Sequence, residues 1–206
     1  TACGAVDIAM HTIERYFCPG EDTYLTDSIA EAVIKSTRKA AFDCMKNPDD
    51  YTARANMMWA SSLAHNGLTQ CGREFQLVVH QFEHELSGMY PKIAHGAGLA
   101  ALWCSWARYV YKANISRWLQ YSANVWNLDI DYEHPEKTIE EAINLQEQYY
   151  VSLGMPIGLK ALGVEEASLT KLALNCSRNK TRTLTGYKPL AYDDILAIYQ
   201  MAYERG

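Results

Sequence analysis

The feature that most limits the fold of this chain is a helical spacing of apolar residues, which continues along almost the whole sequence. Side chains three or four positions apart share a face of an α-helix, whereas those of a β-strand alternate between two faces. The pattern breaks at residues that favour the end of a helix, such as Asn66-Gly67 and Gly154. No convincing alternating strand, internal repeat or low-complexity linker interrupts it. The sequence therefore predicts an all-α fold, a single multi-helix domain over residues 1–206.

The same pattern gives approximate bounds for nine helices. The second is predicted to begin with a capping box, in which the side chains of Ser28 and Glu31 satisfy free backbone N–H groups. The fourth is predicted to begin near Arg73 and the fifth near His95. The predicted helices cover residues 5–16, 28–46, 50–65, 73–89, 95–110, 115–126, 136–153, 165–177 and 192–204.

Charge and composition exclude several classes of function. The net charge is -5 and no basic stripe is present, which argues against a nucleic-acid partner. No apolar run approaches the roughly 18 to 20 residues that a membrane-spanning helix needs, so we expect no integral membrane protein. The start of the sequence lacks the pattern of a signal peptide. The six cysteines are scattered without a CxxC pair, which is typical of reduced thiols in a cytoplasmic protein.

Asp7 and His11 form the first candidate constellation. Four residues of helix correspond to a rotation of about 400° and a rise of about 6 Å, so both side chains leave the same face. A carboxylate beside an imidazole is half of a site for a first-row transition metal. The same pair is also compatible with a solvated aspartate next to a partly buried histidine.

The second constellation is a group of three histidines, half of the six in the chain. His80 and His84 are again four residues apart in a predicted helix, and His95 follows just beyond Pro91. Because the surrounding sequence is apolar, each buried imidazole needs a polar partner, which a metal ion would supply. Satisfied core histidines remain an alternative, whereas His65 and His134 are expected to be structural or exposed.

Known motifs narrow the chemistry. A zinc-protease HExxH motif would begin at His84, but its last position is Gly88. A di-iron bundle needs a glutamate three residues before its histidines, and none of the candidate histidines has one. A single metal with three imidazoles and one carboxylate survives these tests. The segment Gly96-Ala97-Gly98 lacks the spacing and the preceding strand of a dinucleotide-binding loop.

Three ordered blocks resemble the helical domain of iron-containing alcohol dehydrogenases, particularly the butanol dehydrogenase branch. The blocks are AVDIAMHTIERY at 5–16, RANMMWASSLAHNG at 54–67, and HQFEHELSGMY at 80–90 leading into AHGAGLA at 94–100. The resemblance implies a dehydroquinate synthase-like helical fold. It also implies that Asp7, His11, His80 and His95 are the metal ligands. His84 matches the histidine that lies near the nicotinamide and relays a proton.

The resemblance further implies a dehydrogenase that interconverts primary alcohols and aldehydes with Fe(II), or Zn(II), and NAD(P). Members of this family place a nucleotide-binding domain before the helical domain. The sequence starts at Thr1, where the second domain would start, so we expect that the nucleotide-binding domain is missing, that it binds most of the NAD(P), and that this fragment alone is inactive. A homodimer is expected for the full-length protein. Two other readings stay open: a helical metal-dependent hydrolase, and a non-catalytic helical domain whose histidines belong to the core.

Overall fold

The computed structural model describes residues 1–20 and 23–205, and the fold of these residues is all-α. Nine α-helices are found in the described residues, together with short 3-10 turns and two isolated β-bridges, Gly20 with Arg73 and Leu184 with Leu190. The helices are α1 (Ala2–Tyr16), α2 (Tyr24–Lys46), α3 (Tyr51–His65), α4 (Val78–Met89), α5 (His95–Val110), α6 (Ile115–Trp126), α7 (Pro135–Ser152), α8 (Leu169–Cys176) and α9 (Tyr192–Glu204). Within the described part of the chain, no helix combines the length and the apolar character needed to cross a bilayer.

Helix α5 lies at the centre of the domain. Its side chains are buried on nearly every face, and Leu99, Leu102 and Trp103 are fully inaccessible. Helices α1, α4, α7 and α9 pack around it. An apolar helix without a polar face is stable only when it is enclosed by others, so the other helices pack around α5.

The six cysteines are unpaired.

Helix α2 begins one turn before its predicted start, and the predicted capping box is wrong. Ser28 lies inside the helix, where its hydroxyl donates to the backbone carbonyl of Tyr24 at 3.0 Å. The first turn is anchored instead by Asp27, whose carboxylate is buried against the guanidinium groups of Arg73 and Arg117. Two tertiary ion pairs therefore stabilise the first turn of α2.

Helix α4 begins at Val78, five residues after its predicted start at Arg73. The segment before it runs across the carboxyl end of α1. The backbone N–H of Glu74 donates to the carbonyl of Pro19 at 2.9 Å, and the Arg73 side chain donates to the carbonyl of Tyr16 at 2.7 Å. Because these groups form hydrogen bonds to the end of α1 and the residues after it, the segment stays extended rather than helical.

The third helix agrees closely with its sequence pattern. Asp50 caps it by accepting a hydrogen bond from the N–H of Ala53 at 3.0 Å. The predicted stop at Asn66-Gly67 is confirmed, since Gly67 has φ 87° in the left-handed region. The predicted eighth helix is shorter than expected, because residues Glu166–Ser168 form a 3-10 turn before α8.

The carboxyl end of α1 is fixed by two arginines. The carbonyl oxygen of Tyr16 accepts hydrogen bonds from Arg73 at 2.7 Å and from Nε of Arg117 at 2.8 Å. Both guanidinium groups also contact Asp27. Positive groups at this end of a helix satisfy its free carbonyls and interact favourably with the negative end of its dipole. The arginines thus hold in place the helix that carries Asp7 and His11.

Candidate metal centre

The predicted site residues meet where α1, α4 and the start of α5 come together. Oδ1 of Asp7 is the central atom: it lies 3.2 Å from Nδ1 of His11, 3.3 Å from Nε2 of His80 and 3.4 Å from Nε2 of His95. The ligand atoms of Asp7, His11 and His80 all lie within 4.8 Å of one another, and those of Glu83, His84 and His95 form a second group with the same spacing. The structure therefore brings together the four side chains that the sequence resemblance selected.

These separations match what a single ion requires. Nitrogen and oxygen ligands bind a tetrahedral divalent metal at about 2.0 to 2.2 Å, which places neighbouring ligand atoms about 3.3 to 3.6 Å apart. The distances from Oδ1 of Asp7 to Nε2 of His80 and to Nε2 of His95 fall in that range. Nδ1 of His11 also contacts the backbone carbonyl of Asp7 at 3.0 Å, which leaves Nε2 as the nitrogen of His11 that can bind a metal. Three imidazoles and one carboxylate also suit Fe(II) or Zn(II). The donor set of this site thus fits one first-row metal ion.

The electrostatics of Asp7 favour its charged form. Burial by itself would raise the pKa of this carboxyl group, but hydrogen bonds from His11, His80 and His95 outweigh it and hold the pKa well below its usual range. A carboxylate that stays ionised keeps its lone pairs available at neutral pH. Asp7 can therefore act as an anionic ligand without first losing a proton.

Glu14 stands behind His80. Its side chain is 2% exposed and contacts Nδ1 of His80, the nitrogen that points away from Asp7. The same carboxylate accepts hydrogen bonds from the backbone N–H groups of Val79 and His80, the latter at 3.2 Å. Helix α4 has no side-chain cap from Leu77, the residue before it. Glu14 from α1 therefore caps α4 and contacts the imidazole at the same time.

Glu83 stands behind His95 in the same way. Its side chain is fully buried and contacts Nδ1 of His95, while Nε2 of that imidazole faces Asp7. The hydroxyl of Ser87, one turn along α4, donates to the other carboxylate oxygen. Each of these two histidines thus lies between Asp7 on one side and a buried glutamate on the other.

The glycines at the start of α5 allow this close packing. A β-carbon at Gly96 would overlap the backbone carbonyl of Cys3 in α1, and one at Gly98 would lie 2.7 Å from Oε1 of Glu83. The segment Gly96-Ala97-Gly98 thus has a packing role, which is consistent with its failure to match a dinucleotide-binding loop. It lets His95 approach α1.

His84 lies at the exposed edge of the centre. Its ring stacks on that of His95 with 5.7 Å between centroids, and it lies 6.0 Å from the ring of His80. Burial, followed by the positive charges of His80 and His95, lowers the pKa of His84. Its imidazole is therefore neutral at physiological pH and can accept a proton.

His65 is closer to the site than the sequence suggested. Its Nε2 lies 3.9 Å from Oδ2 of Asp7, and its ring lies 4.1 Å from that of His11. His65 is exposed, as expected. His134 is also exposed; it lies away from the centre, where its Nδ1 is 3.3 Å from a carboxylate oxygen of Asp131. The position of His65 depends on how the end of α3 packs against α1, which local sequence does not reveal.

Sequence reasoning also missed Glu14 and Glu83. A signal was present, because a glutamate follows a histidine by three residues twice: His11-Thr-Ile-Glu14 and His80-Gln-Phe-Glu83. The di-iron motif places each glutamate before its histidine, so it does not include this spacing. The pairing also crosses between helices, since Glu14 contacts His80 and Glu83 contacts His95. The spacing could have indicated polar groups on the site face, but not their partners.

Comparison with known proteins agrees with the resemblance found in the sequence. Residues 1–203 match a family model described as Fe-containing alcohol dehydrogenase family, C-terminal. The NADH-dependent butanol dehydrogenase A of Clostridium acetobutylicum is 39% identical over 204 residues, which cover 98% of this chain and 52% of the relative. The NADPH-dependent aldehyde reductase YqhD of Escherichia coli is 29% identical over 205 residues, which cover 98% of this chain and 51% of that protein.

Solved structures agree with these sequence relatives. The crystal structure of NADH-dependent butanol dehydrogenase A from Thermotoga maritima matches with a TM-score of 0.90 at 31% identity, covering 98% of this chain and 52% of the other. The chain therefore spans about half the length of the relatives that it matches. The matched names are those of dehydrogenases and reductases, so the hydrolase alternative gains no support.

Proposed function

Since the chain belongs to the iron-containing alcohol dehydrogenase family, whose C-terminal domain it matches, we propose that it is the metal-binding catalytic half of an NAD(P)-dependent dehydrogenase. The reaction is the interconversion of primary alcohols and aldehydes by hydride transfer. The observation that carries this proposal is the position of Oδ1 of Asp7, which has a nitrogen of each of three imidazoles within 3.4 Å.

Asp7, His11, His80 and His95 are the proposed ligands of one divalent ion. Fe(II) is the first choice, because of the family, and Zn(II) the second. The bound ion would supply Lewis acidity, which stabilises an alcohol oxygen as it loses its proton or polarises an aldehyde carbonyl. The protein residues hold the site in shape: α1 contributes two ligands, α4 one, and the start of α5 the fourth.

His84 is the proposed acid–base group. It lies one turn beyond His80 on the exposed side, and its lowered pKa keeps the imidazole neutral and ready to accept the proton of the alcohol. Its exposure allows that proton to pass on to solvent. In the reductive direction the imidazole of His84 would return a proton to the product oxygen.

The nucleotide is proposed to be bound mainly by a domain outside these 206 residues. The sequence contains no glycine-rich phosphate loop after a strand, and the relatives are about twice as long. We therefore expect the isolated chain to bind metal without oxidising alcohol. A cytoplasmic homodimer is the proposed state of the full-length protein.

Metal analysis tests the central step. The purified chain is reconstituted anaerobically with Fe(II) or with Zn(II), desalted and analysed for metal by mass spectrometry. We expect about one ion per chain, lost in Asp7→Ala and His95→Ala and retained in the control His134→Ala, whose imidazole lies away from the centre. Absence of metal from the unsubstituted chain would contradict the proposal and favour the non-catalytic domain with core histidines.

A further inference from the structure

Two of the proposed ligands share an arrangement that their role as ligands does not by itself require. In both His80 and His95, Nε2 faces Asp7 while Nδ1 contacts a glutamate whose side chain is no more than 2% exposed. A carboxylate can only accept hydrogen bonds. A glutamate in contact with Nδ1 therefore requires a proton on that nitrogen.

We infer that Glu14 and Glu83 are positioning residues that fix the tautomer of His80 and His95, so that the Nε2 lone pair of each imidazole faces the metal position. A neutral imidazole carries one proton, and the nitrogen that bears it cannot bind a metal. This inference rests on the proposed metal site, and it adds that two buried glutamates contribute to the affinity of that site for metal.

Both carboxylates are held rigidly enough for such a role. Glu14 is fixed by the N–H groups of Val79 and His80 at the start of α4. Glu83 is fixed by Ser87 and by the close approach of Gly98. An outer carboxylate of this kind orients the ring and increases the basicity of the ligating nitrogen.

The two contacts also connect the helices in sequence. Glu14 extends from α1 to the histidine of α4, and Glu83 extends from α4 to the histidine of α5. The metal position therefore lies among three helices that are joined by imidazole–carboxylate pairs. The alternative is that these glutamates only stabilise the packing of the helices.

Glutamine substitutions separate the two possibilities, because glutamine has nearly the same shape as glutamate. In Glu14→Gln the amide oxygen can still accept from the N–H of Val79. Its NH2 group then faces Nδ1 of His80, which favours the tautomer that carries its proton on Nε2. It also faces the backbone N–H of His80, so this variant loses one hydrogen bond at the start of α4. Glu83→Gln has the same effect on His95, with its amide oxygen directed to Ser87. The control is Glu85→Gln, which removes one charge from α4, the helix of Glu83, at a side chain that forms no hydrogen bond or ion pair with a histidine in the described residues.

The experiment measures zinc affinity by competition with a chromogenic chelator for the unsubstituted chain and the three variants. We expect the affinity to fall about 10-fold to 100-fold in Glu14→Gln and in Glu83→Gln, and to stay within twofold in Glu85→Gln. The thermal midpoint of each metal-free variant is measured alongside. An affinity loss with an unchanged midpoint supports positioning, whereas a loss that occurs only together with a lowered midpoint in both variants overturns it.

A spectroscopic measurement on the unsubstituted protein needs no variant. In the zinc-loaded chain, nitrogen-15 NMR should show a protonated Nδ1 and a metal-bound Nε2 for His80 and His95; a protonated Nε2 on either would overturn the inference. Zinc bound equally tightly by the glutamine variants would also overturn it, while leaving the metal site intact. Failure of the unsubstituted chain to bind zinc would instead contradict the proposed function.

Discussion

Gly98 lies so close to Glu83 that a β-carbon on the glycine would stand 2.7 Å from Oε1 of the carboxylate. The glycine is in the second turn of α5 and the glutamate is in α4, so the contact sets how closely the two helices approach. It also fixes the carboxylate that contacts His95. A single hydrogen atom in place of a side chain thus determines part of the geometry of the metal centre.

Gly98→Ala is predicted to destabilise the domain. The added methyl group has to displace a buried carboxylate, and such overpacking costs about 1 to 3 kcal/mol. Urea unfolding of the metal-free protein measures the change. The matched control is Gly88→Ala in α4, where a β-carbon meets no atom within 4 Å. That substitution should stabilise the domain by about 0.5 to 1 kcal/mol; equal effects of the two alanines would contradict the packing argument.

Removal of Asp27 is predicted to be strongly destabilising. Its carboxylate pairs with Arg73 and Arg117, whose side chains are nearly inaccessible to solvent. Breaking a buried ion pair on one side leaves an uncompensated charge, at a cost of about 3 to 5 kcal/mol. Asp27→Ala should therefore lower the urea midpoint sharply. Asp43→Ala, which removes the exposed partner of Lys39, should change it little, and a comparable loss in both variants would show that burial is not the cause.

The stability of the metal-free protein is predicted to fall at alkaline pH. Hydrogen bonds that His95 donates to Asp7 and Glu83 raise the pKa of its imidazole to about 10. Burial lowers the pKa of His80, but hydrogen bonds to Asp7 and Glu14 outweigh it and raise the pKa to about 9. A raised pKa in the folded state means that the protonated form stabilises the fold.

The stabilisation by protonated His80 and His95 therefore depends on pH. It is fully present below the unfolded-state pKa near 6.5 and is lost as pH rises through about 9 to 10. Because a metal has to displace these protons, binding should release protons at neutral pH. Calorimetry in two buffers of different ionisation enthalpy would detect the release, and denaturant unfolding between pH 7 and 10.5 would detect the stability loss. A metal-free protein with equal stability at both pH values would be inconsistent with the assignment.

His84→Asn is predicted to impair turnover without removing the metal. The test uses a protein that carries this chain together with its nucleotide-binding domain. If His84 transfers the proton, kcat should fall by about 100-fold or more, and the pH dependence of kcat should lose the titration of an imidazole. Metal content should stay at the level of the unsubstituted enzyme, since the four proposed ligands are unchanged. An unchanged pH profile would exclude His84 as the acid–base group.

Local pattern predicted the helices well where their ends depend on nearby residues. The third helix has its cap at Asp50 and its stop at Gly67, and both signals lie within a few positions of the helix itself. Helices α2 and α4 were misplaced at their starts. Their first turns are decided by contacts of Asp27, Arg73 and Glu74 with distant parts of the chain, which periodicity does not contain.

Helical periodicity is a local property, so the order of residues was enough to predict the all-α class and the two histidine-bearing faces, with Asp7 beside His11 and His80 beside His84. Which nitrogen of His80 faces Asp7 and which contacts Glu14, a partner 66 positions away in the chain, became visible only in the folded domain. The packing of α1 against α4 and α5 sets this orientation. No spacing along one helix records the approach of another.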